Sequence, residues 1–187
     1  AYTDPLTGVQ NRRGFFAAVD RAIQEAPDEG PGPCVMLLDL DHFKQINDRY
    51  GHPVGDEVLV EFAQVVLSLL RDGDVFARMG GEEFMLILPD TPVQQAQVVV
   101  QRLLMAFSEQ TLVQDSTGRR IALSFSAGLG ELCPGEDFAS VYQRVDAALL
   151  QAKQAGRKRV EFATPCEGAK GGGSLPKTAL RYFSLRG

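Results

Sequence analysis

The chain has 187 residues, which fits one compact domain followed by a tail. Hydrophobic residues make up 44% of it, enough for a core, and its formal net charge of -5 disfavours a binder of nucleic-acid polymers, which carries a basic surface. The charge still allows a phosphate-bearing ligand, because local cations or a metal ion can neutralise one. No apolar run reaches the ~20 residues that span a bilayer, so we expect no membrane contact by this chain.

Cysteine use bears on the compartment. Cys34, Cys133 and Cys166 are far apart in the sequence, odd in number and without metal-ligand spacing. This pattern favours a reducing compartment, and we expect a cytoplasmic location. We find no signal peptide. Because the chain begins at Ala1 without an initiator methionine, we expect it to be the cytosolic part of a longer protein, which a membrane segment elsewhere could anchor.

Hydrophobic periodicity predicts the elements in chain order. The predicted helices are 12–24, 55–70, 91–107 and 138–155. The predicted strands are 34–38, 75–78, 83–88, 121–130 and 159–163. The first strand is continuously apolar and ends at Asp39, a pattern typical of a strand buried on both faces. Gly80 and Gly81 suit a tight hairpin between the next two strands, and their missing Cβ atoms would also let a ligand lie against the backbone.

The order of these elements predicts an α+β fold, with helices packed on one largely antiparallel sheet. It contains a βαββαβ kernel of the ferredoxin or polymerase-palm kind. Beyond residue 165 the composition changes, and the Gly-rich segment 170–174 is typical of a flexible linker. We therefore expect a domain over 1–163 and a flexible C-terminal tail over 164–187.

Acidic residues follow the ends of two predicted strands. Asp39 and Asp41 come after the apolar strand, and Glu82 and Glu83 lie at the hairpin turn. If the strands are neighbours, the carboxylates meet at one edge and repel one another unless protons or cations intervene. Mg²⁺ prefers such oxygen ligands and shares its coordination shell with substrate phosphates. Solvated acids at strand ends are the alternative, which we favour for Asp41 alone.

Five short motifs also occur in order along the chain. They are Asp4-Pro5-Leu6-Thr7-Gly8 with Asn11-Arg12-Arg13, Asp39-Leu40-Asp41-His42-Phe43-Lys44, Asn47 with Gly51-His52 and Gly55-Asp56, Arg78-Met79-Gly80-Gly81-Glu82-Glu83-Phe84, and Lys153 with Arg157. Together they resemble the motifs of the GGDEF family of diguanylate cyclase domains, in its Glu-Glu form. The resemblance covers residues 3–163, and five motifs in register are highly specific.

The resemblance implies a reaction in which two GTP condense to cyclic di-GMP and release two pyrophosphates. Each domain would hold one GTP, so turnover would need a homodimer of domains. The implied cofactor is Mg²⁺, with Mn²⁺ as a substitute. Asp39, Glu82 and Glu83 would be catalytic, and these three with the Leu40 carbonyl would hold the metal. Glu82 would be the candidate base for the 3′-hydroxyl, although direct metal activation of that hydroxyl stays open.

The resemblance also assigns the substrate contacts. Asp56 would accept from the guanine N1–H and N2–H₂ together, a donor pattern that adenine lacks, and Asn47 would read the same edge. Lys153 and Arg157, four residues apart and so on one helix face, would bind phosphates; alone, such a pair would be a solvated face. The full set implied to contact GTP is Phe43, Lys44, Asn47, His52, Asp56, Gly80, Gly81, Lys153 and Arg157.

A second site is implied by Arg71 and Asp74, an Arg-x-x-Asp that ends five residues before Gly80. This spacing resembles the family's inhibitory site, which binds the product cyclic di-GMP, and Arg102 stands where the family often has a further arginine. Arginine suits phosphate through its planar fork of donors. The alternative is a surface turn with a local ion pair, worth about 0–1 kcal/mol.

Three other functions stay open from the sequence: a catalytically silent domain that senses GTP or cyclic di-GMP, a cyclase that makes a mixed dinucleotide, and a scaffold. The intact acids and glycines of the signature disfavour the first, and Asp56 disfavours the second. The presence of both ligand sites disfavours a scaffold. The chain departs from the family pattern at Leu150, Lys158 and 124–128, where we expect altered helix–sheet packing rather than altered chemistry.

Overall fold

A computed structural model describes residues 1–26, 28, 30–108 and 112–166, with the backbone alone at 112 and 113. The helices are α1 (Arg12–Glu25), α2 (Phe43–Tyr50), α3 (His52–Leu69), α4 (Val93–Ala106) and α5 (Phe138–Gln154). The strands are β1 (Cys34–Leu40), β2 (Val75–Gly80), β3 (Glu83–Leu88), β4 (Leu112–Gln114), β5 (Arg120–Ala122), β6 (Phe125–Glu131) and β7 (Arg159–Phe162).

Five of these strands form one sheet in the order β2-β3-β1-β6-β7, and β4 and β5 form a separate hairpin. β1 is antiparallel to both β3 and β6, and only β7 joins the sheet in parallel, beside β6. The predicted α+β fold with a largely antiparallel sheet is confirmed, and β1, β2, β3 and β6 with their helices form the predicted βαββαβ kernel.

Two apolar layers explain why every residue of β1 is buried. Successive side chains of a strand point to opposite faces. Met36 and Leu38 therefore pack in the layer that α3 and α4 cover, whereas Val35 and Leu37 pack in the layer that α1 and α5 cover. The continuous apolar run thus follows from a central strand with helices on both faces.

Helix α5 lies close to the sheet at Gly128 in β6. A Cβ atom built there would lie 2.1 Å from the Val145 carbonyl oxygen and 2.7 Å from the Leu149 amide nitrogen, both on the backbone of α5. Gly128 therefore lets α5 lie directly against the sheet. The predicted departure from the family pattern at 124–128 ends at this contact.

Two predicted elements are wrong in extent. The predicted strand 121–130 is two strands, because residues 123 and 124 belong to neither strand: β5 pairs with β4, whereas β6 pairs with β1. The predicted helix 55–70 begins at His52, and the sequence did not predict α2 or β4. α2 is short and polar, and Gly51, with φ +89°, separates it from α3.

The cysteines depart from the expectation. Cys133 and Cys166 form a disulfide across the ends of β6 and β7, with Cα atoms 5.4 Å apart, while the Cys34 thiol is buried and donates to the Thr91 carbonyl at 3.1 Å. Disulfides are rare in a reducing compartment, where such a bond is open to reduction. The pairing depends on the parallel alignment of β6 and β7, which the sequence spacing did not reveal.

The predicted tail over 164–187 lies outside the described residues from 167 onward. Its first residues are held on the domain, because Arg144 donates to the Thr164 carbonyl at 2.9 Å and Cys166 is bonded to Cys133. Among the residues that the structure describes, no helix combines the length and apolar character needed to cross a membrane.

Candidate active site

The predicted acidic residues meet at one edge of the sheet. Asp39, the penultimate residue of β1, lies directly opposite Glu83, the first residue of β3, and the Leu40 amide donates to the Glu82 carbonyl at 3.3 Å. The antiparallel pairing of β1 with β3 therefore brings the end of the apolar strand to the hairpin turn. Asp39 is buried, while Glu82 and Glu83 are partly exposed.

The turn between β2 and β3 leaves room for a ligand. Gly80 and Gly81 have φ of +153° and +52°, in the region that favours glycine. No atom in the described part of the chain would lie within 4 Å of a Cβ at either residue. A ligand can therefore approach the backbone of this turn directly.

An ion pair between Arg78 and Asp4 of the N-terminal motif supports the turn. Arg78 donates to the Gly81 carbonyl at 2.9 Å and forms an ion pair with Asp4 at 3.4 Å, and both side chains are mostly buried. Asp4 in turn accepts from the Thr7 amide and hydroxyl at 2.9 and 2.7 Å. Asp4 and Arg78 belong to two separate sequence motifs, and no role was predicted for either residue. Their presence in two specific motifs was the only sequence signal that pointed to a role.

Lys153 reaches Asp39 from the last turn of α5. Its Nζ lies 2.6 Å from the Asp39 Oδ2, and the two side chains are 12% and 8% exposed. Burial raises the pKa of Asp39 to about 6; the Lys153 ammonium opposes this rise, and the Glu82 and Glu83 carboxylates add to it. A residue predicted to bind phosphate is thus in contact with a residue predicted to bind metal.

Asp41 has a structural role, and its interpretation as a solvated acid is wrong. It is buried, and its carboxylate accepts from the Ser124 hydroxyl at 2.7 Å, the Ser126 hydroxyl at 2.6 Å and the Lys158 amide at 3.1 Å. These bonds satisfy the carboxylate without a metal ion. They tie the end of β1 to the neighbouring strand and to the turn after α5.

The residues predicted to read guanine lie on adjoining helix ends. Asn47 is on α2, and His52 and Asp56 are exposed residues of the first turns of α3. The Asn47 Oδ1 is buried and has no hydrogen-bond partner among the described residues. A Cβ at Gly55 would lie 1.8 Å from that oxygen, so the glycine creates the space that Asn47 occupies. Phe43, predicted to line the same site, is buried at the start of α2.

The three predicted phosphate-binding cations differ in their surroundings. Lys44 forms an exposed ion pair with Asp48 at 2.7 Å. The prediction that Lys153 and Arg157 share one helix face is wrong, because α5 ends at Gln154 and Gly156, with φ +113°, reverses the chain. Arg157 lies in the left-handed turn beyond the helix, where its amide donates to the Ala152 carbonyl at 2.7 Å.

Arg71, Asp74 and Arg102 line one cavity of about 270 Å³ between the end of α3, the segment before β2, and α4. Arg71 donates through Nε to Asp74 at 3.1 Å and through its terminal nitrogen to the Pro89 carbonyl at 2.7 Å and the Thr91 hydroxyl. The Arg71 side chain is about half exposed and that of Asp74 is buried. The structure therefore brings the three residues of the predicted second site together.

The carboxylates at this edge of the sheet suit a metal ion whose coordination shell is completed by the substrate. Among the described residues, no group of three or more His, Cys, Asp and Glu side chains is arranged to hold a metal ion alone. Mg²⁺ commonly takes one or two carboxylates and fills its shell with water and substrate phosphates. Asp39 opposite Glu83, beside the backbone of Leu40, offers hard oxygen ligands of that kind.

Comparison with known proteins bears on this arrangement. The family model described as "Diguanylate cyclase, GGDEF domain" matches residues 1–159. The diguanylate cyclase DgcP of Pseudomonas aeruginosa is 37% identical over 163 residues, which are 87% of this chain and 24% of DgcP. The chain therefore spans about a quarter of the length of that relative.

Two solved structures share the fold. The diguanylate cyclase SiaD of P. aeruginosa, in complex with its activator SiaC, has a TM-score of 0.81 and 38% identity, over 87% of this chain and 62% of that chain. The GGDEF domain of DgcB from Caulobacter crescentus, in complex with c-di-GMP, has a TM-score of 0.78 and 37% identity, over 87% and 95%. Sequence, fold and the family model agree over the same residues, and the chain belongs to the GGDEF family of diguanylate cyclase domains.

Proposed function

We propose that this domain is a diguanylate cyclase, which condenses two GTP into cyclic di-GMP and releases two pyrophosphates. The observation that carries the proposal is the acidic pair Asp39 and Glu83 beside the open backbone of Gly80 and Gly81. Carboxylates next to a surface that a nucleotide can approach are suited to metal-assisted transfer of a nucleotidyl group. Family membership supports the same reaction.

The proposed cofactor is Mg²⁺, with Mn²⁺ as a substitute. Asp39, the Leu40 carbonyl, Glu82 and Glu83 would hold it, each on a strand end or turn of the sheet. When bound, the ion would neutralise phosphate charge and lower the pKa of the attacking hydroxyl. The strand pairing holds the ligands in place before substrate arrives, which reduces the reorganisation that the reaction requires.

In the proposed reaction, the 3′-hydroxyl oxygen of one GTP bonds to the α-phosphorus of the other, and the bond to the pyrophosphate oxygen breaks. Glu82 would accept the hydroxyl proton. Lys44, Lys153 and Arg157 would bind the β- and γ-phosphates and stabilise the charge of the departing pyrophosphate. Because one domain holds one GTP, two domains face each other as a homodimer, and each closes one phosphodiester bond.

Guanine would be read at Asn47 and Asp56. The buried Oδ1 of Asn47 lacks a partner among the described residues, and an unsatisfied buried acceptor costs about 1–3 kcal/mol. A base N–H would reach this oxygen once the Asn47 side chain turns away from Gly55, and the new hydrogen bond would remove that cost. The exposed Asp56 carboxylate would accept from guanine N1–H and N2–H₂, which adenine does not present together. We therefore propose GTP over ATP, with His52 beside the ribose or base.

We also propose that cyclic di-GMP binds back at Arg71, Asp74 and Arg102. Their shared cavity and the half-exposed guanidinium of Arg71 support a site for a phosphate-bearing ligand. Product held there would keep the domains in a pairing that separates the two GTP sites. Since GTP is a cytoplasmic nucleotide, the proposal implies a cytoplasmic domain, in which the Cys133–Cys166 bond would be open to reduction.

The direct test is turnover of GTP with Mg²⁺ across a range of protein concentrations. We expect cyclic di-GMP to form, with a rate per domain that rises with concentration as pairs assemble. Glu82→Ala and Glu83→Ala should abolish product while circular dichroism stays native, whereas Glu25→Ala, at an exposed acid on α1, should stay active. Intact GTP binding without product at any concentration would indicate a silent sensing domain instead, and equal competition by ATP would indicate a mixed cyclase.

The second site is tested by adding cyclic di-GMP during turnover. Arg71→Ala should relieve inhibition by the product, because it removes the guanidinium that faces the cavity. Arg21→Ala, at an exposed arginine on α1, is the matched control and should stay inhibited. Unchanged inhibition of Arg71→Ala would show that product acts elsewhere.

A further inference from the structure

Lys153, a proposed phosphate-binding residue, forms an ion pair with Asp39, a proposed metal ligand. The two groups are 2.6 Å apart, come from α5 and β1, and are nearly buried. Each charge is compensated by the other, and removing either partner would leave an uncompensated charge in a site with little water. In the protein without ligands, Lys153 therefore holds the carboxylate that the metal would use.

A metal ion and the Lys153 ammonium compete for that carboxylate. Two cations bound to one carboxylate would lie only a few ångströms apart and repel each other. If Asp39 binds metal, the ammonium must leave its Oδ2 and find another anion. The proposed alternative anion is the triphosphate of GTP, which would lie beside the same edge of the sheet.

The other two proposed phosphate-binding cations have different surroundings. Lys44 pairs with Asp48 on the surface, where the two side chains are 87% and 63% exposed and water can replace either partner. Arg157 lies in the turn beyond α5. Of these three cations, only Lys153 contacts a proposed metal ligand through an ion pair that the structure records.

We propose that Lys153 exchanges between the Asp39 carboxylate and the GTP phosphates, and thereby couples metal binding to nucleotide binding. The inference rests on the proposed metal site and substrate. Metal alone must displace the ammonium with no phosphate to receive it, so it binds weakly. GTP receives the ammonium and frees Asp39, so each ligand strengthens binding of the other by the same factor.

The test measures Mn²⁺ binding by electron paramagnetic resonance, with and without 3′-deoxy-GTP, which lacks the attacking hydroxyl. Lys153→Met keeps the apolar stem and removes the charge. We expect it to bind Mn²⁺ alone about ten-fold or more tightly than the unmodified chain, because the competing cation is gone. The factor by which the nucleotide tightens Mn²⁺ binding should fall in the same variant.

Four further variants make the result specific. Lys153→Arg keeps a cation and should bind Mn²⁺ alone as the unmodified chain does. Arg157→Met should weaken nucleotide binding and leave the affinity for Mn²⁺ without nucleotide unchanged. Lys153→Gln also removes the charge but keeps a hydrogen-bond donor for Asp39, so it replaces Lys153→Met in the test if that variant does not fold. Asp39→Asn combined with Lys153→Met should lose the tightened Mn²⁺ binding, which locates the ion at Asp39.

The inference is overturned if the neutral variants, with native circular dichroism, bind Mn²⁺ alone no more tightly than the unmodified chain. This failure differs from failure of the proposed function, which would be an unmodified chain that makes no cyclic di-GMP. Tight Mn²⁺ binding in a variant whose parent does not turn over GTP would support the exchange and refute the cyclase.

Discussion

Gly128→Ala tests how closely α5 must lie on the sheet. The added Cβ would lie 2.1 Å from the Val145 carbonyl oxygen and 2.7 Å from the Leu149 amide nitrogen. Both atoms belong to the helix backbone and cannot rotate away as a side chain can. Since non-bonded heavy atoms are in favourable contact at about 3.5–4.0 Å, we expect α5 to shift from β6 by about 1.4 Å or more.

The cost of this shift follows from what α5 carries into the core. Val141, Val145 and Leu149 are fully buried there, and all three lose contacts when the helix moves. Overpacking a core costs about 1–3 kcal/mol, and more where the backbone must move. We expect the free energy of unfolding to fall by about 3 kcal/mol, which lowers Tm by about 6–12 °C in a domain of this size.

The assay is urea unfolding followed by far-UV circular dichroism, since the chain has no tryptophan for fluorescence. Gly130→Ala is the matched control on the same strand. Its Cβ would meet the Ala163 Cβ and the Val145 Cγ1 at 3.0 Å, so each contact needs to lengthen by only a few tenths of an ångström. We expect a loss of about 1 kcal/mol or less for the control. Equal stability of the two variants would refute the reasoning.

Three further predictions follow from individual contacts. Glu161 is 2% exposed and burial raises its pKa to about 7 from an ordinary 4.5, so the folded state holds a proton that the unfolded state has released, and the free energy of unfolding falls as pH rises through this window. Glu161→Gln should remove that slope and stabilise the domain above pH 7 by up to about 3 kcal/mol, measured by urea unfolding at several pH values. Arg78→Met frees the turn from Asp4 and should lower kcat for GTP while costing about 1–2 kcal/mol of stability. Gly55→Ala places a Cβ on the Asn47 Oδ1 and should weaken GTP binding about ten-fold or more, measured by calorimetry.

Each of these predictions has an outcome that contradicts it. A pH slope unchanged by Glu161→Gln would assign the buried proton to another group. Full turnover by Arg78→Met would mean that the glycine turn keeps its shape without the brace. Undiminished GTP affinity in Gly55→Ala would separate Asn47 from guanine binding, or show that Asn47 moves without loss.

Local pattern predicted most elements because their signals lie within one segment. An unbroken apolar run predicted β1. Helices α1, α4 and α5 were predicted to within two residues at each end. α2 escaped prediction because only Phe43 and Ile46 of its eight residues are buried. Two buried residues in a polar segment do not form a periodic stripe.

The site was predictable in its parts and unpredictable in its contacts. Spacing and resemblance identified the acids, the glycines and the cations one motif at a time. The ion pairs Arg78–Asp4 and Lys153–Asp39 join residues 74 and 114 positions apart, so they depend on which strands and helices become neighbours. The same holds for the disulfide, whose cysteines meet only because β7 aligns with β6.

The strand order has a consequence for synthesis of the chain. β1 is the first strand made, yet it lies at the centre of the sheet, and its pairing with β6 joins Cys34 to Glu131 and Leu40 to Phe125. Roughly 90 residues must follow before its second neighbour exists, about 5–20 s at usual rates of translation. During that interval an apolar strand with an unpaired edge is exposed to other nascent chains. We expect this domain to depend on chaperones or low temperature for good yield, a property set by topology rather than by stability.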